Sequence, residues 1–180
     1  MEEFAIIYAD PAWSYRVWGK KDAGRTAENH YPTMSTDEIC ALPVADIAAK
    51  DSALFLWATF PNLPAAFEVI KAWGFNYKTV AFTWVKTNRK SSGFFVSLGH
   101  WTRANAEVCL LATKGKPQRI SKSVRQLIVS PVRNHSQKPD EARMRIIELM
   151  GDLPRVELFA RDKTPGWAVW GNEVDSDISL

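Results

Sequence analysis

Residues 4–13 read Phe-Ala-Ile-Ile-Tyr-Ala-Asp-Pro-Ala-Trp, and the way this stretch stops decides the fold. Phe4–Ala9 is a short apolar run of strand length, which reads as a buried strand. It ends abruptly at Asp10-Pro11, and residues 14–34, polar with Gly19, Gly24 and Pro32, read as a long loop. Working outward, Ser35 or Thr36 can cap a short helix with Asp37 and Glu38 in its first turn. Ala53–Ala58 is a second buried strand, Leu63–Trp73 an amphipathic helix closed by Gly74, and Tyr77–Val85 a third strand. Residues 86–103 form a basic loop. Glu107–Thr113 is a fourth strand, followed by a second basic loop from Lys114 to Arg125. A short strand is expected at Leu127–Ser130, and a helix from Pro139 to Met150, proline suiting a first helical turn. Val156–Ala160 and Ala168–Gly171 complete the strands. Strands alternating with helices predict an α/β fold with a largely parallel sheet flanked by helices. In such sheets ligands bind beyond the carboxyl ends of the strands. That rule puts Asp10, Lys86 and Arg161 on the functional edge.

The 180 residues suffice for one domain with a real core, and 46% of them are apolar. No apolar run reaches the roughly 18 residues of a membrane span. The start, Met1-Glu2-Glu3, lacks the basic region of a secretory signal, so a cytoplasmic protein is expected. Cys40 and Cys109 lie far apart in apolar runs and read as buried free thiols, with neither a disulfide nor a metal site implied. The net charge of +3 is unevenly spread. Residues 86–133 hold ten Lys or Arg and one acid, Glu107, while the remainder hold thirteen bases and nineteen acids. A basic middle on an acidic protein suits a polyanionic partner, although a charge run alone also fits a solvated loop face. Aromatics mixed with Arg and Lys are what a base-stacking surface needs.

Asp10-Pro11-Ala12-Trp13 can carry chemistry on an exocyclic amino group such as adenine N6. The lone pair of that nitrogen is delocalised into the ring. Two acceptors aimed at its two hydrogens favour a tetrahedral nitrogen and localise the pair. A carboxylate and a backbone carbonyl can act together in this way, and the proline ring helps to fix the carbonyl. An aromatic ring nearby can stack on the extruded base. The same four residues also fit a strand-ending Asp-Pro turn with a packed Trp.

Asp10-Pro11-Ala12-Trp13 resembles the D-P-P-W motif of amino-group methyltransferases. The match is to the family that includes the eukaryotic messenger-RNA N6-adenosine methyltransferase catalytic subunit, with bacterial and phage members. Tyr8-Ala9 before the motif, His30-Tyr31-Pro32-Thr33-Met34 in the first loop and Leu54-Phe55-Leu56-Trp57 in the second strand resemble it too. His135-Ser136-Gln137-Lys138-Pro139 is similar to the family's H-x-x-Q-K-P element, one residue shorter between His and Gln. Val156–Arg161 resembles its E-L-F-A-R strand, and Gly171-Asn172-Glu173 its G-N-E segment. The resemblance covers essentially the whole chain. It implies a single Rossmann-like S-adenosylmethionine-dependent methyltransferase domain over residues 1–180, with the reaction motif preceding the cofactor motif in the permuted order.

The resemblance also implies roles. Asp10, Pro11, Ala12 and Trp13 would form the catalytic turn. Asp10, His135, Gln137, Lys138, Pro139, Phe159, Arg161, Asn172 and Glu173 would border S-adenosylmethionine, with Asn172 and Glu173 on its ribose hydroxyls. A lysine at a helix N-terminus suits the carboxylate of that cofactor. Loops near 14–34, 86–103 and 114–133 would hold the nucleic acid, through Tyr15, Arg16, Trp18, Lys20, Lys21, His30 and Tyr31 and through Lys86, Arg89, Lys90, Trp101, Arg103 and Asn105. DNA is favoured over RNA, and no metal is needed. Two departures stand out. Ala12 replaces the second proline, and Ala106 stands where the eukaryotic enzyme carries a cofactor-contacting lysine. Cytosine N4 methylation and a non-catalytic nucleic-acid-binding subunit are the rival readings. The retained Asp10 and Trp13 argue against the second.

Overall fold

The computed structural model describes residues 3–13, 33–99, 101–134 and 137–180. Its strands are β1 (Phe4–Ala9), β2 (Ala48–Ala58), β3 (Asn76–Thr87), β4 (Glu107–Lys114), β5 (Leu127–Pro131), β6 (Arg155–Leu158) and β7 (Ala168–Trp170). Its helices are α1 (Thr36–Ala41), α2 (Val44–Ile47), α3 (Leu63–Ala72) and α4 (Asp140–Met150). The strands form one seven-stranded sheet in the order β5-β3-β4-β2-β1-β6-β7. Every neighbouring pair is parallel except the two made by β4, which is antiparallel to both β2 and β3. The largely parallel sheet expected from the sequence is therefore present, with one strand reversed.

Period-two alternation sends the apolar side chains of the central strands to opposite faces. Ile7 and Ala9 of β1, Leu54 and Leu56 of β2 and Leu110 of β4 share one core with Ile39 of α1 and Val69 and Ile70 of α3. Ile6, Tyr8, Phe55, Trp57, Phe82, Trp84 and Cys109 share the other with Ala142, Ile146 and Met150 of α4. The continuous apolar runs of β1 and β2 are thus strands covered on both faces. Ser35 caps α1 through a capping box. Its Oγ accepts the Glu38 N–H at 3.3 Å, while the Glu38 carboxylate accepts the Ser35 N–H at 2.8 Å.

Several boundaries differ from expectation. β2 and β3 are longer, because their polar ends, Lys50-Asp51 and Lys86-Thr87, stay in the ladder. The helix α2 and a 3-10 turn at Phe60–Asn62 have no clear periodic signal. Cys109 is buried but Cys40 is only half-buried, and both are free. Among the described residues no helix is long and apolar enough to cross a membrane.

The reversal of β4 sets the geography of the molecule. Glu107 opens β4 opposite Trp84 near the end of β3, while Lys114 closes it opposite Ser52 in the first half of β2. Residues 115–126 therefore leave from the edge opposite Asp10. The expected third substrate loop, 114–133, is divided: only its end, beyond β5, returns to the edge that carries Asp10.

Candidate active site

β1 delivers Asp10 to the carboxyl edge of the sheet, and α4 delivers Lys138 to the same place. The Lys138 ammonium lies 2.9 Å from Asp10 Oδ2 and 3.1 Å from Glu107 Oε2, and Lys86 pairs with the other Glu107 oxygen. A chain of alternating charge, Asp10–Lys138–Glu107–Lys86, thus runs across the ends of β1, β4 and β3. Aromatic faces floor it: Lys138 Nζ sits 5.7 Å from the centre of the Trp57 ring, and Lys86 Nζ 4.9 Å from that of Trp84. Burial raises the Asp10 carboxyl above its ordinary value against the pull of Lys138. Burial also opposes ionisation of Glu107, but Lys138 and Lys86 outweigh it and hold that carboxyl low. Burial disfavours the charged form of Lys138, yet its two carboxylates more than offset this and keep it a cation.

The turn after β1 is fixed by main-chain bonds. Trp13 N–H donates to the Pro11 carbonyl at 2.8 Å and Met34 N–H to the Ala12 carbonyl at 3.0 Å. Alanine in place of the second proline therefore leaves a pinned turn. A carbonyl oxygen has two lone pairs, so this bond leaves the Pro11 oxygen able to accept a second hydrogen. Trp13 differs from expectation: it is only 6% exposed, and its indole N–H donates to the Trp57 carbonyl at 3.1 Å. Its ring belongs to the core and braces the turn. A freely presented stacking platform would need its face in solvent.

Asp10 borders a cleft whose walls include Ala12, Met34, Phe159, Arg161, Trp170, Asn172 and Glu173. Phe159 adopts a left-handed backbone at φ 61°, uncommon for a residue other than glycine, directly after β6. The bend turns its ring edge-on to Trp170 at 5.3 Å between centres, and the Ala160 N–H donates to the Trp170 carbonyl at 2.9 Å. Gly171 has no room for a side chain, since a Cβ there would lie 2.2 Å from the Ala160 carbonyl oxygen. Arg161 Nε faces Glu173 Oε1 at 3.7 Å. An apolar, aromatic wall ending in Asn172 and Glu173 matches a nucleoside: surface for the ring, a carboxylate and an amide for two hydroxyls. The donor set thus fits the cofactor that the sequence implies.

Other expected residues fall elsewhere. Lys138 is engaged by two carboxylates, so its ammonium acts on Asp10. Gln137 and Pro139 flank it, the buried Pro139 forming the N-cap of α4. Lys86 is paired inside the charge chain. Asn105 clamps β3, accepting the Lys86 N–H at 3.0 Å and donating to the Lys86 and Phe95 carbonyls. Both therefore hold the site together instead of facing phosphate. Arg89, Lys90, Arg103 and Trp101 are exposed, Trp101 at 98%, although Arg89 and Arg103 each donate to a backbone carbonyl. Glu157 makes a two-pronged pair with Arg143 of α4, at 2.7 and 2.6 Å, and not a surface pair with Arg155. Tyr15, Arg16, Trp18, Lys20, Lys21, His30, Tyr31 and His135 lie outside the described residues. Sequence reasoning missed Glu107, Met34 and Trp170. Glu107 had left a signal, as the single acid among ten bases in residues 86–133.

The MT-A70 family model matches residues 4–173. The chain is 33% identical to the Type II methyltransferase M.MunI of Mycoplasma sp, covering 99% of this chain and 82% of that protein. It is 33% identical to the N(6)-adenosine-methyltransferase MT-A70-like protein of Drosophila melanogaster, over 96% of this chain and 27% of the relative. With the human N(6)-adenosine-methyltransferase catalytic subunit METTL3 it shares 32% identity over 96% of this chain and 28% of the relative. The chain therefore spans about a quarter of the length of these two animal relatives.

Proposed function

The chain belongs to the MT-A70 family, and from that premise we propose that it is an adenine-N6 methyltransferase whose methyl donor is S-adenosylmethionine and whose substrate is nucleic acid, DNA in preference to RNA. The observation that carries this reading is the position of Asp10. Asp10 lines the cleft that ends in Asn172 and Glu173, while Lys138 holds its carboxylate. When bound, S-adenosylmethionine supplies an electrophilic methyl group on a sulfonium.

The protein's own residues do the rest. Asn172 and Glu173 take the ribose hydroxyls, and Phe159 and Trp170 give the apolar wall. The Asp10 carboxylate and the Pro11 carbonyl accept the two hydrogens of the target amino group, which localises the nitrogen lone pair. Lys138 favours the ionised form of Asp10 and orients it, so little reorganisation is needed as positive charge develops on nitrogen. Asp10 or solvent receives the proton that leaves. The target base must be out of its stack or single-stranded to reach this edge. The exposed Arg89, Lys90 and Arg103 supply backbone attraction beside the site.

The test is methyl transfer from labelled S-adenosylmethionine to unmodified DNA and RNA, followed by nucleoside mass analysis, for wild type and Asp10→Ala. The expected result is N6-methyladenine in DNA, lost in the variant. Product on RNA alone would overturn the DNA preference, and donor binding without product on either would overturn catalysis.

A further inference from the structure

We propose that the segment 116–125, which leaves the sheet edge opposite Asp10 and climbs alongside β3, is a second nucleic-acid contact that takes the phosphate backbone flanking the target base. The proposal rests on the nucleic-acid substrate named above. Residues 114–126 carry five bases and no acid. Four of the bases, Lys116, Arg119, Lys122 and Arg125, are exposed and recur at every third position. Among the described residues none of the four forms an ion pair. By contrast, Lys114, just before them, turns inward and donates to the Ala45 and Ala48 carbonyls.

A charge run of this kind is ordinarily a solvated, mobile face. This one has a fixed backbone. Gly115 makes a left-handed turn at φ 64°, where a Cβ would strike Asp51 Oδ1 at 2.2 Å. Asp51 Oδ1 accepts the Lys116 N–H at 2.7 Å. The Ile120 N–H donates to the Leu149 carbonyl at 2.8 Å, and Arg145 donates to the Arg125 carbonyl. The Gln126 carbonyl accepts the Thr83 N–H at 3.0 Å. Four cations on a pinned frame lose less freedom on meeting a regular row of phosphates than cations on a loose loop.

The place of the ledge sets the length of nucleic acid it needs. β4 joins the two edges with eight residues, and at about 3.4 Å per residue they lie about 24 Å apart. The path round the molecule is longer. With the target base at its middle, a duplex of about eight base pairs extends only about 14 Å to either side and falls short of the far edge, whereas one of about thirty extends about 50 Å to either side. Such reach would give a small domain extra affinity without adding any contact at the reacting base.

The experiment compares wild type with Lys116→Ala/Arg119→Ala/Lys122→Ala/Arg125→Ala on two adenine-containing DNA probes, a hairpin of about 8 base pairs and a duplex of about 30. Fluorescence anisotropy across salt gives affinity and slope. We expect unchanged affinity for the hairpin. On the long duplex we expect a loss of about tenfold or more, with the log–log salt slope shallower by about 3 to 4. Arg119→Ala/Lys122→Ala should show about half the change in slope. Equal affinities for the long duplex, or equal losses on both probes, would overturn the proposal. So would a lower melting temperature with unchanged binding, which would mark the cations as partners of the C-terminal end of α4 only. Methyl transfer to the hairpin is followed in the same samples. Its absence in wild type would sink the proposed function while leaving the binding contrast to judge the ledge.

Discussion

Lys138 Nζ stands 2.9 Å from Asp10 Oδ2, although 128 positions of sequence separate the two residues. The lysine opposes the rise that burial imposes on the Asp10 carboxyl. Lys138→Met should therefore let that carboxyl rise further. Activity that needs ionised Asp10 will then fall away at a higher pH. The acid limb of kcat/KM against pH reads this directly; a limb that stays in place would rule out the coupling.

Glu107 predicts a pH-dependent stability. Lys138 and Lys86 hold its carboxyl below the ordinary range despite burial. A carboxyl lowered on folding stabilises the protein above its unfolded value of about 4.3, and that contribution fades as pH falls through the folded value. Glu107→Gln removes one member of a buried pair and should cost about 3–5 kcal/mol near neutrality. Urea denaturation should show the gap between variant and wild type narrowing in acid.

Trp13 separates bracing from stacking. Trp13→Phe keeps an aromatic ring but loses the bond to the Trp57 carbonyl. The expected cost is about 1–2 kcal/mol of stability, seen as a lower Tm, because a buried acceptor is left unmet. KM for an oligonucleotide should stay within about twofold, since a loss of base stacking would be worth about 1–3 kcal/mol. A large rise in KM without a change in Tm would return Trp13 to a stacking role.

Gly171 predicts a loss confined to the cleft. Its added Cβ would meet the main chain of Ala160, which cannot swing aside as a side chain could. Gly171→Ala should destabilise by about 1–3 kcal/mol and weaken S-adenosylmethionine binding more than tenfold by calorimetry. Unchanged affinity would mean that the segment after β7 can move without disturbing the donor site.

The strands were legible because continuous apolar runs such as Phe4–Ala9 and Ala53–Ala58 are what two-faced burial selects. Asp10 was legible because the run stops in a distinctive turn. Strand direction was not. Nothing in Glu-Val-Cys-Leu-Leu-Ala-Thr says which way β4 points, and the carboxyl-end rule looks for functional residues after strands. Glu107 is the first residue of its strand and reaches the site only because that strand is reversed. Lys138 was found at the correct place in the chain, but its pairing with two carboxylates 128 and 31 positions away was not. Long-range charge pairing leaves no local pattern to read. The same blindness to direction made residues 114–133 one substrate loop, when its start leaves from the edge opposite Asp10.

β1 lies between β2 and β6, with Ile7 aligned to Leu54 on one side and to Val156 on the other. During synthesis the first partner follows soon, whereas the second emerges about 150 residues after Ile7, a delay of roughly 8 to 30 s at about 5–20 residues per second. For that interval the strand that carries the reacting carboxylate has one ladder made and the other bare, an apolar edge open to any extended chain nearby. The nascent protein therefore leaves bare, on the strand that carries Asp10, an edge that the finished protein covers with β6.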